Sequence, residues 1–175
     1  MNRLAVFVSG RGSNLQALLD QEGCSIRLVC SHKSAIPADG KAKRYFIPVF
    51  KTKKVDFAEW AMFLRSRSIQ KIFLLGFMRL IPASFVELWS QSILNVHPSL
   101  LPLFPGLEAI EKSFQARAPM GVTIHHVTPE MDAGAVVAQS QVYENQHIPH
   151  DFKLASRMMT FREHYLVRRV GEKWN

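Results

Sequence analysis

The sequence predicts an α/β fold, a doubly wound and mostly parallel sheet with an antiparallel addition in its C-terminal half. Three observations carry that reading. Short continuous apolar runs alternate with segments whose apolar residues recur at helical spacing, which is the order of β-α-β units. The runs themselves, "LAVFVSG" and "KIFLLGF" among them, are apolar at odd and even positions alike, as strands covered on both faces must be. Late in the chain, "GVTIHHVT" and "AVVAQSQVYE" are separated only by the short turn "PEMDAG", with no room for a crossover helix, so they pair antiparallel.

Taken in order, "LAVFVSG" is the first strand, ended by Ser9 and Gly10. The helix "SNLQALLD" comes at once, with Leu15, Leu18 and Leu19 on one face and Ser13 placed to cap it. Residues 25–31, "SIRLVCS", are the second strand, and "FIPVF" is a third, interrupted by Pro48 and therefore at a sheet edge. "VDFAEWAMFLRSR" is a helix that turns Phe57, Trp60, Ala61 and Leu64 to one side. "KIFLLGF" is a strand ending at Gly76, "SFVELW" a short helical turn after Pro82, and "SILNVH" the next strand. Residues 108–117 read as one helix, and "HDFKLASRMMTFREHYLVRRV" as a long basic helix near the C-terminus. There is no internal repeat, low-complexity tract or linker, so 175 residues that are 47% hydrophobic and 21% charged are expected to form a single domain, 1–175.

A formal net charge of +8 suits an anionic partner such as a phosphate, an acidic cofactor or RNA, and equally a generally basic surface. Cys24 and Cys30 sit in no CxxC or Cys/His pattern and are expected to be reduced, buried and without a redox role. The apolar stretch 4–8 is too short for a signal sequence, and no later run reaches the roughly 18 apolar residues of a spanning helix. A soluble, cytoplasmic protein with no membrane partner is expected.

Three stretches can carry chemistry. "SGRGSN", residues 9–14, joins a buried strand to a helix start. Gly10 and Gly12 permit a tight turn and close backbone approach, and the free N–H groups there favour an anion. It lacks the lysine of a Walker A loop and the third glycine of a dinucleotide fingerprint, and an ordinary strand-to-helix turn would look the same. "ILNVHPSLLPLFPG" puts Asn95 and His97 where an apolar strand runs out, the place where ligands enter an open α/β sheet. Asn95 offers an amide, His97 a group that titrates near neutrality, and Pro98, Pro102 and Pro105 stiffen the loop beyond the strand. In "IHHVTPEMDAG", His125 and His126 should point to opposite faces of a strand. No further ligands recur at metal-binding spacing, so no metal is expected. Asp132 lies in the turn, where an aspartate is commonplace.

Together these stretches resemble one family. "VSGRGSNLQAL", "LLGFMRLIP", "ILNVHPSLLP", "GVTIHHV" and "MDAG" match, in order, the motifs of the glycinamide ribonucleotide formyltransferases, from Met1 to about Val142. The resemblance implies a Rossmann-like formyltransferase fold whose N-terminal half holds the substrate phosphate and whose C-terminal half holds folate. It implies that Asn95, His97 and Asp132 are catalytic and that Gly12, Ser13 and Asn14 bind the substrate phosphate. Met78, Arg79, Leu80 and Ile81 would line the folate pocket, and the loop 127–132, with Val127, Thr128 and Met131, would close over the pterin. His125 matches a recurrent histidine beside the site. Glu163 is the nearest match to a glutamate offered to the nucleotide, if one residue is inserted before it. The implied reaction moves a formyl group from 10-formyltetrahydrofolate, as co-substrate, to the primary amine of glycinamide ribonucleotide in purine biosynthesis. No nucleic-acid partner is expected, and the protein is expected to be a monomer or homodimer.

The chain departs from the family pattern at Leu103, where a basic or polar residue is usual, and at Glu108 and Ile110, where histidines are common. A glutamate near Asp132 would repel it and raise a carboxyl pKa. The segment 31–45 looks abbreviated, and the chain stops sooner than the family usually does. Two other readings accompany the first. One is the same folate chemistry on another amine, an amino sugar nucleotide or an aminoacyl-tRNA, although a tRNA formylase is expected to carry a further C-terminal domain. The other is a descendant that binds folate or nucleotide without turnover.

Overall fold

The computed structural model describes residues 3–21, 25–52 and 54–174. Its strands are β1 (Leu4–Phe7), β2 (Ile26–Ser31), β3 (Val49–Lys51), β4 (Lys71–Leu74), β5 (Ile93–His97), β6 (Met120–His126) and β7 (Val136–Tyr143). They form one sheet in the order β3-β2-β1-β4-β5-β6-β7. Neighbours from β3 to β5 are parallel, while β5–β6 and β6–β7 are antiparallel. The doubly wound sheet and its antiparallel addition are therefore both present. The helices are α1 (Ser13–Leu19), α2 (Pro37–Arg44), α3 (Phe57–Ser66), α4 (Ala83–Leu88), α5 (Ala109–Gln115) and α6 (Phe152–Trp174). No described helix is long and apolar enough to cross a membrane.

Alternation along each strand divides the interior into two apolar layers. Leu4, Val6, Val29, Phe73, Leu94, Val122 and Ile124 face α1 and α6, whose Leu15, Leu18, Met159, Leu166 and Val170 cover them. Ala5, Phe7, Leu28, Ile72, Leu74 and Ile93 face α3 and α4, meeting Trp60, Leu64, Phe85 and Trp89. Trp60 anchors the second layer: it is fully buried, its ring packs edge-on to Phe7 at 5.1 Å, and its indole N–H donates to Thr52 Oγ1 at 2.8 Å. The second layer ends at Ile93. Past it, the β5–β6 face has no described helix over it, and the loops after β5 and β6 cross it instead: Leu101 N donates to Thr123 Oγ1 on that face, and Asp132 reaches Asn95 and His97. The order in which strands are added reverses between β1 and β4, so the loops after these two strands flank a topological switch point, where open α/β sheets bind ligands.

Several local expectations change. Ser13 does not cap α1: the cap position is Gly12, at φ 67°, and no side chain bonds there. A side chain at Gly12 would also meet the Ala38 Cβ at 2.7 Å, whereas Gly10 has open space around it, so Gly12 alone is required by the turn. The third strand starts later than expected, at Val49, because Phe46 adopts φ 57° and breaks the extended run. Residues 37–44, which carry no apolar periodicity, form α2; Pro37 sits in its first turn and Asp39 Oδ2 accepts from Ile36 N at 3.2 Å. Helix α3 starts at Phe57 because Asp56 caps it, accepting from Ala58 N and Glu59 N. Cys30 is a free, buried thiol whose pKa burial pushes far up; Cys24 lies outside the described residues.

Candidate active site

Asn95 and His97 lie two apart on β5 and so share a face, the one the loops cover. Antiparallel register places His125 of β6 opposite Asn95, and Thr123 opposite His97. Asp132 arrives from the β6–β7 loop with φ 52°, in a left-handed conformation that aspartate tolerates better than most residues. Gly134 lets that loop turn back: a Cβ there would fall 1.8 Å from the His126 carbonyl oxygen. The three residues expected to be catalytic, and the histidine expected beside them, thus converge.

The Asp132 carboxylate is the hub. Its Oδ2 accepts from the Gly106 backbone N–H at 2.8 Å and lies 3.3 Å from His97 Nδ1. Its Oδ1 lies 3.4 Å from His125 Nε2 and 3.5 Å from the Asn95 amide nitrogen. Burial by itself would raise the Asp132 pKa, but the His125 hydrogen bond, the Gly106 amide and the charges of both imidazoles outweigh it and hold the carboxyl below its ordinary value. Asp132 is therefore an anion at neutral pH. The raised carboxyl expected from Glu108 is not found. Glu108 is exposed at the N-cap of α5 with φ 60°, and Ile110 turns inward to pack on the first apolar layer.

Both histidines are held in the same way. His97 Nε2–H donates to the Phe104 carbonyl at 2.8 Å, and His125 Nδ1–H to the His126 carbonyl at 2.8 Å. A carbonyl can only accept, so in each ring that nitrogen carries the hydrogen and the other one faces Asp132. A proton gained at His97 Nδ1 is donated straight to the carboxylate. At His125, Nε2 accepts from the Asn95 amide, 3.3 Å away, when the ring is neutral, and donates to Asp132 when it is charged. The cluster can take up and hand on protons without moving its heavy atoms.

A second network, buried at Ser99 and Thr123, holds the loop that carries these partners. Thr123 Oγ1 donates to the Ser99 carbonyl at 2.7 Å and accepts from Leu101 N at 3.1 Å and Gln139 Nε2 at 2.8 Å. Gln139 also reaches the Leu101 carbonyl, and Ser99 Oγ donates to the Leu103 carbonyl at 2.5 Å. Sequence reasoning does not find Ser99, Thr123 or Gln139. The one signal is a threonine inside the apolar run "GVTIHH", at the position that faces His97. The Gly106 amide and the Phe104 carbonyl leave no trace in residue type.

The other expected site residues fall around this cluster. Ser9 Oγ, at the end of β1, accepts from Met78 N at 2.8 Å, which ties the loops after β1 and β4 together across the switch point. Met78, Arg79 and Leu80 are exposed there, whereas Ile81 is buried in the second apolar layer and anchors the segment. Val127 is half-buried against that layer, Thr128 Oγ1 donates to the Glu130 carbonyl, and Met131 is exposed. On the other side of the sheet, Lys41 Nζ donates to the Gly12 carbonyl at 3.0 Å and Asn14 Nδ2 to Glu163 Oε2 at 2.9 Å. Burial pushes the Glu163 pKa up, partly offset by that amide. Among the described residues no cluster of His, Cys, Asp or Glu has the form of a metal site.

Comparison with known proteins shows the family. The formyl transferase family model matches residues 2–170. The phosphoribosylglycinamide formyltransferase of Bacillus subtilis (strain 168) is 33% identical over 161 residues, which cover 84% of this chain and 82% of that protein. The trifunctional purine biosynthetic protein adenosine-3 of Homo sapiens is 37% identical over 80% of this chain, which spans only 15% of that much longer protein. The crystal structure of phosphoribosylglycinamide formyltransferase from Anaplasma phagocytophilum superposes with a TM-score of 0.87 at 33% identity, covering 95% of this chain and 83% of that one. With a family match over residues 2–170 and a relative one-third identical over most of both chains, this chain belongs to the formyl transferase family.

Proposed function

We propose that this protein transfers the formyl group of 10-formyltetrahydrofolate to the primary amine of glycinamide ribonucleotide, a step of purine biosynthesis carried out in the cytoplasm. The observation that carries the reading is the paired pinning of His97 and His125, each fixed by a backbone carbonyl and aimed at one anionic carboxylate beside the Asn95 amide. Acyl transfer to an amine needs a donor for a developing oxyanion and a route for two protons. The amine nitrogen attacks the formyl carbon, and the tetrahedral oxyanion is met by an Asn95 N–H and by the positive charge of a protonated His97, whose two N–H groups stay on the Phe104 carbonyl and Asp132. The amine proton leaves and N10 of the folate gains one as the C–N10 bond breaks. Asp132 stabilises the imidazolium throughout and relays protons through water.

The substrate phosphate sits at Gly12, Ser13 and Asn14, with Lys41 neighbouring through its bond to the Gly12 carbonyl and Glu163 reaching the ribose side past Asn14. Folate lies over the exposed Met78, Arg79 and Leu80, held in place by the buried Ile81, with Val127, Thr128 and Met131 closing from the other loop. No metal takes part. The protein is mixed with glycinamide ribonucleotide and a 10-formyl folate, and release of deformylated folate is followed by absorbance. Turnover that depends on both substrates is expected. Folate binding without release, or release with a different amine only, would overturn the assignment.

A further inference from the structure

The long basic helix that the sequence singles out is only half used by the fold. One face of α6 packs on the sheet through Ala155, Met159, Leu166, Val167 and Val170. Its outer face carries a second apolar row. Leu154 is 47% exposed, Met158 39%, Phe161 58% and Tyr165 50%. Their spacing, four, three and four residues, is that of consecutive core positions in a coiled coil, a straight row about 16 Å long at 1.5 Å per residue. Phe152, by contrast, is already paired with Phe114, their rings 5.1 Å apart.

Arginines line both flanks of this row. Arg157 and Arg168 line one side, Arg162 and Arg169 the other, each within about 70° of the row at 100° per residue. Arg162 lies over the Tyr165 ring, 5.7 Å from its centre, and donates to Ser140 Oγ, while Arg169 bonds to the Tyr165 hydroxyl. Arg168 reaches the Ala17 carbonyl and pairs with Asp20 at 3.7 Å, so its charge already has a partner within the chain. The guanidinium groups of Arg162 and Arg169 are thus held beside the row. A second copy of the helix laid on this row would set Arg157 and Arg162 against like charges at its centre, so self-pairing is opposed.

We propose that the outer face of α6 docks an acidic amphipathic helix of another protein, whose apolar row seats on Leu154, Met158, Phe161 and Tyr165 and whose flanking carboxylates meet Arg157, Arg162 and Arg169. Coiled-coil spacing favours a helix over a lipid surface, and flanking charge selects the partner. The test uses a fluorescent three-heptad peptide with Leu at its core positions and Glu on both flanks, and a twin with Lys in place of Glu. Saturable binding of the Glu peptide is expected, with at least tenfold weaker binding by the Lys twin. Met158→Glu should weaken the Glu peptide at least tenfold, and Arg157→Glu severalfold with a shallower salt dependence. Formyl transfer by both variants should be unchanged, which also shows that they fold. Equal binding of the two peptides, no binding of either, or binding to vesicles of anionic lipid without binding to peptide would overturn the proposal. So would a homodimer in sedimentation that Met158→Glu dissolves.

Discussion

Replacing Thr123 by valine tests whether the network beneath the catalytic loop holds it in place. Thr123 is fully buried, and valine keeps its shape while deleting one hydroxyl. The deletion removes the donor to the Ser99 carbonyl at 2.7 Å and the acceptor for Leu101 N at 3.1 Å, while Gln139 keeps its bond to the Leu101 carbonyl. Two backbone groups lose their partner. At about 1–3 kcal/mol for each buried polar group left unsatisfied, the loss of stability should be about 2–6 kcal/mol, less whatever relaxation recovers. The bonds lost lie directly against the loop that supplies the Phe104 carbonyl and the Gly106 amide, so kcat should fall by roughly 10- to 100-fold, as misplacements near 1 Å do. Urea denaturation followed by circular dichroism gives the first quantity, and formyl transfer by the surviving folded fraction gives the second. Thr123→Ser, which keeps the hydroxyl, should restore most of both. A valine variant within about 0.5 kcal/mol of the parent and with unchanged kcat would refute the reasoning, since so small a change is what an uninvolved surface site produces.

Asp132→Asn keeps the acceptor for Gly106 N–H but removes the charge that both imidazoles face; kcat should drop by about 10²–10⁴-fold with folate affinity largely retained, and turnover near the parent value would remove Asp132 from the proton route. Glu163 has a raised pKa in the folded protein, so its contribution to stability is fully present below the unfolded value of 4.5 and is lost as pH rises through the folded value. Glu163→Gln should therefore raise the melting temperature at pH 7 to 8 and leave it unchanged near pH 4, and melting curves showing equal effects at both ends would contradict that sign. Gly134→Ala should push the His126 carbonyl away from His125 Nδ1 and lower kcat more than it lowers stability; a crystal structure of the variant with the 127–134 loop unmoved would count against the turn's role.

Much of the fold is legible in the sequence because burial imposes a period on residue type. β1, β4 and β5 stand out as continuous apolar runs, and Asn95 and His97 are conspicuous because nothing else in β5 is polar. The third strand and α2 are harder to read. The break at Phe46 is a backbone conformation, and α2 is held by Pro37 and Asp39 and buries only its small or capping residues. Ser13 looks like the cap of α1 because serine is a good cap in general, whereas contact with Ala38 demands glycine at position 12. At the site, side chains in series can be read, but their partners cannot. Phe104 and Gly106 act through main-chain atoms, which any residue supplies, and Glu108 draws attention as an acid near Asp132 although its side chain points to solvent. Thr123 and Gln139 become meaningful only once register sets Thr123 opposite His97 and Gln139 beside Thr123.

Because no described helix covers the β5–β6 face, the loops that complete the candidate site are separate from the helices that close the apolar layers. The first layer is closed by α1, α2, α5 and α6 and the second by α3 and α4, and neither draws on the two loops for its largest members. Residues such as Leu103 and Glu108, both exposed on the first of those loops, can change without disturbing either layer. Selection can therefore retune what the mouth of the site accepts while the scaffold beneath stays constant.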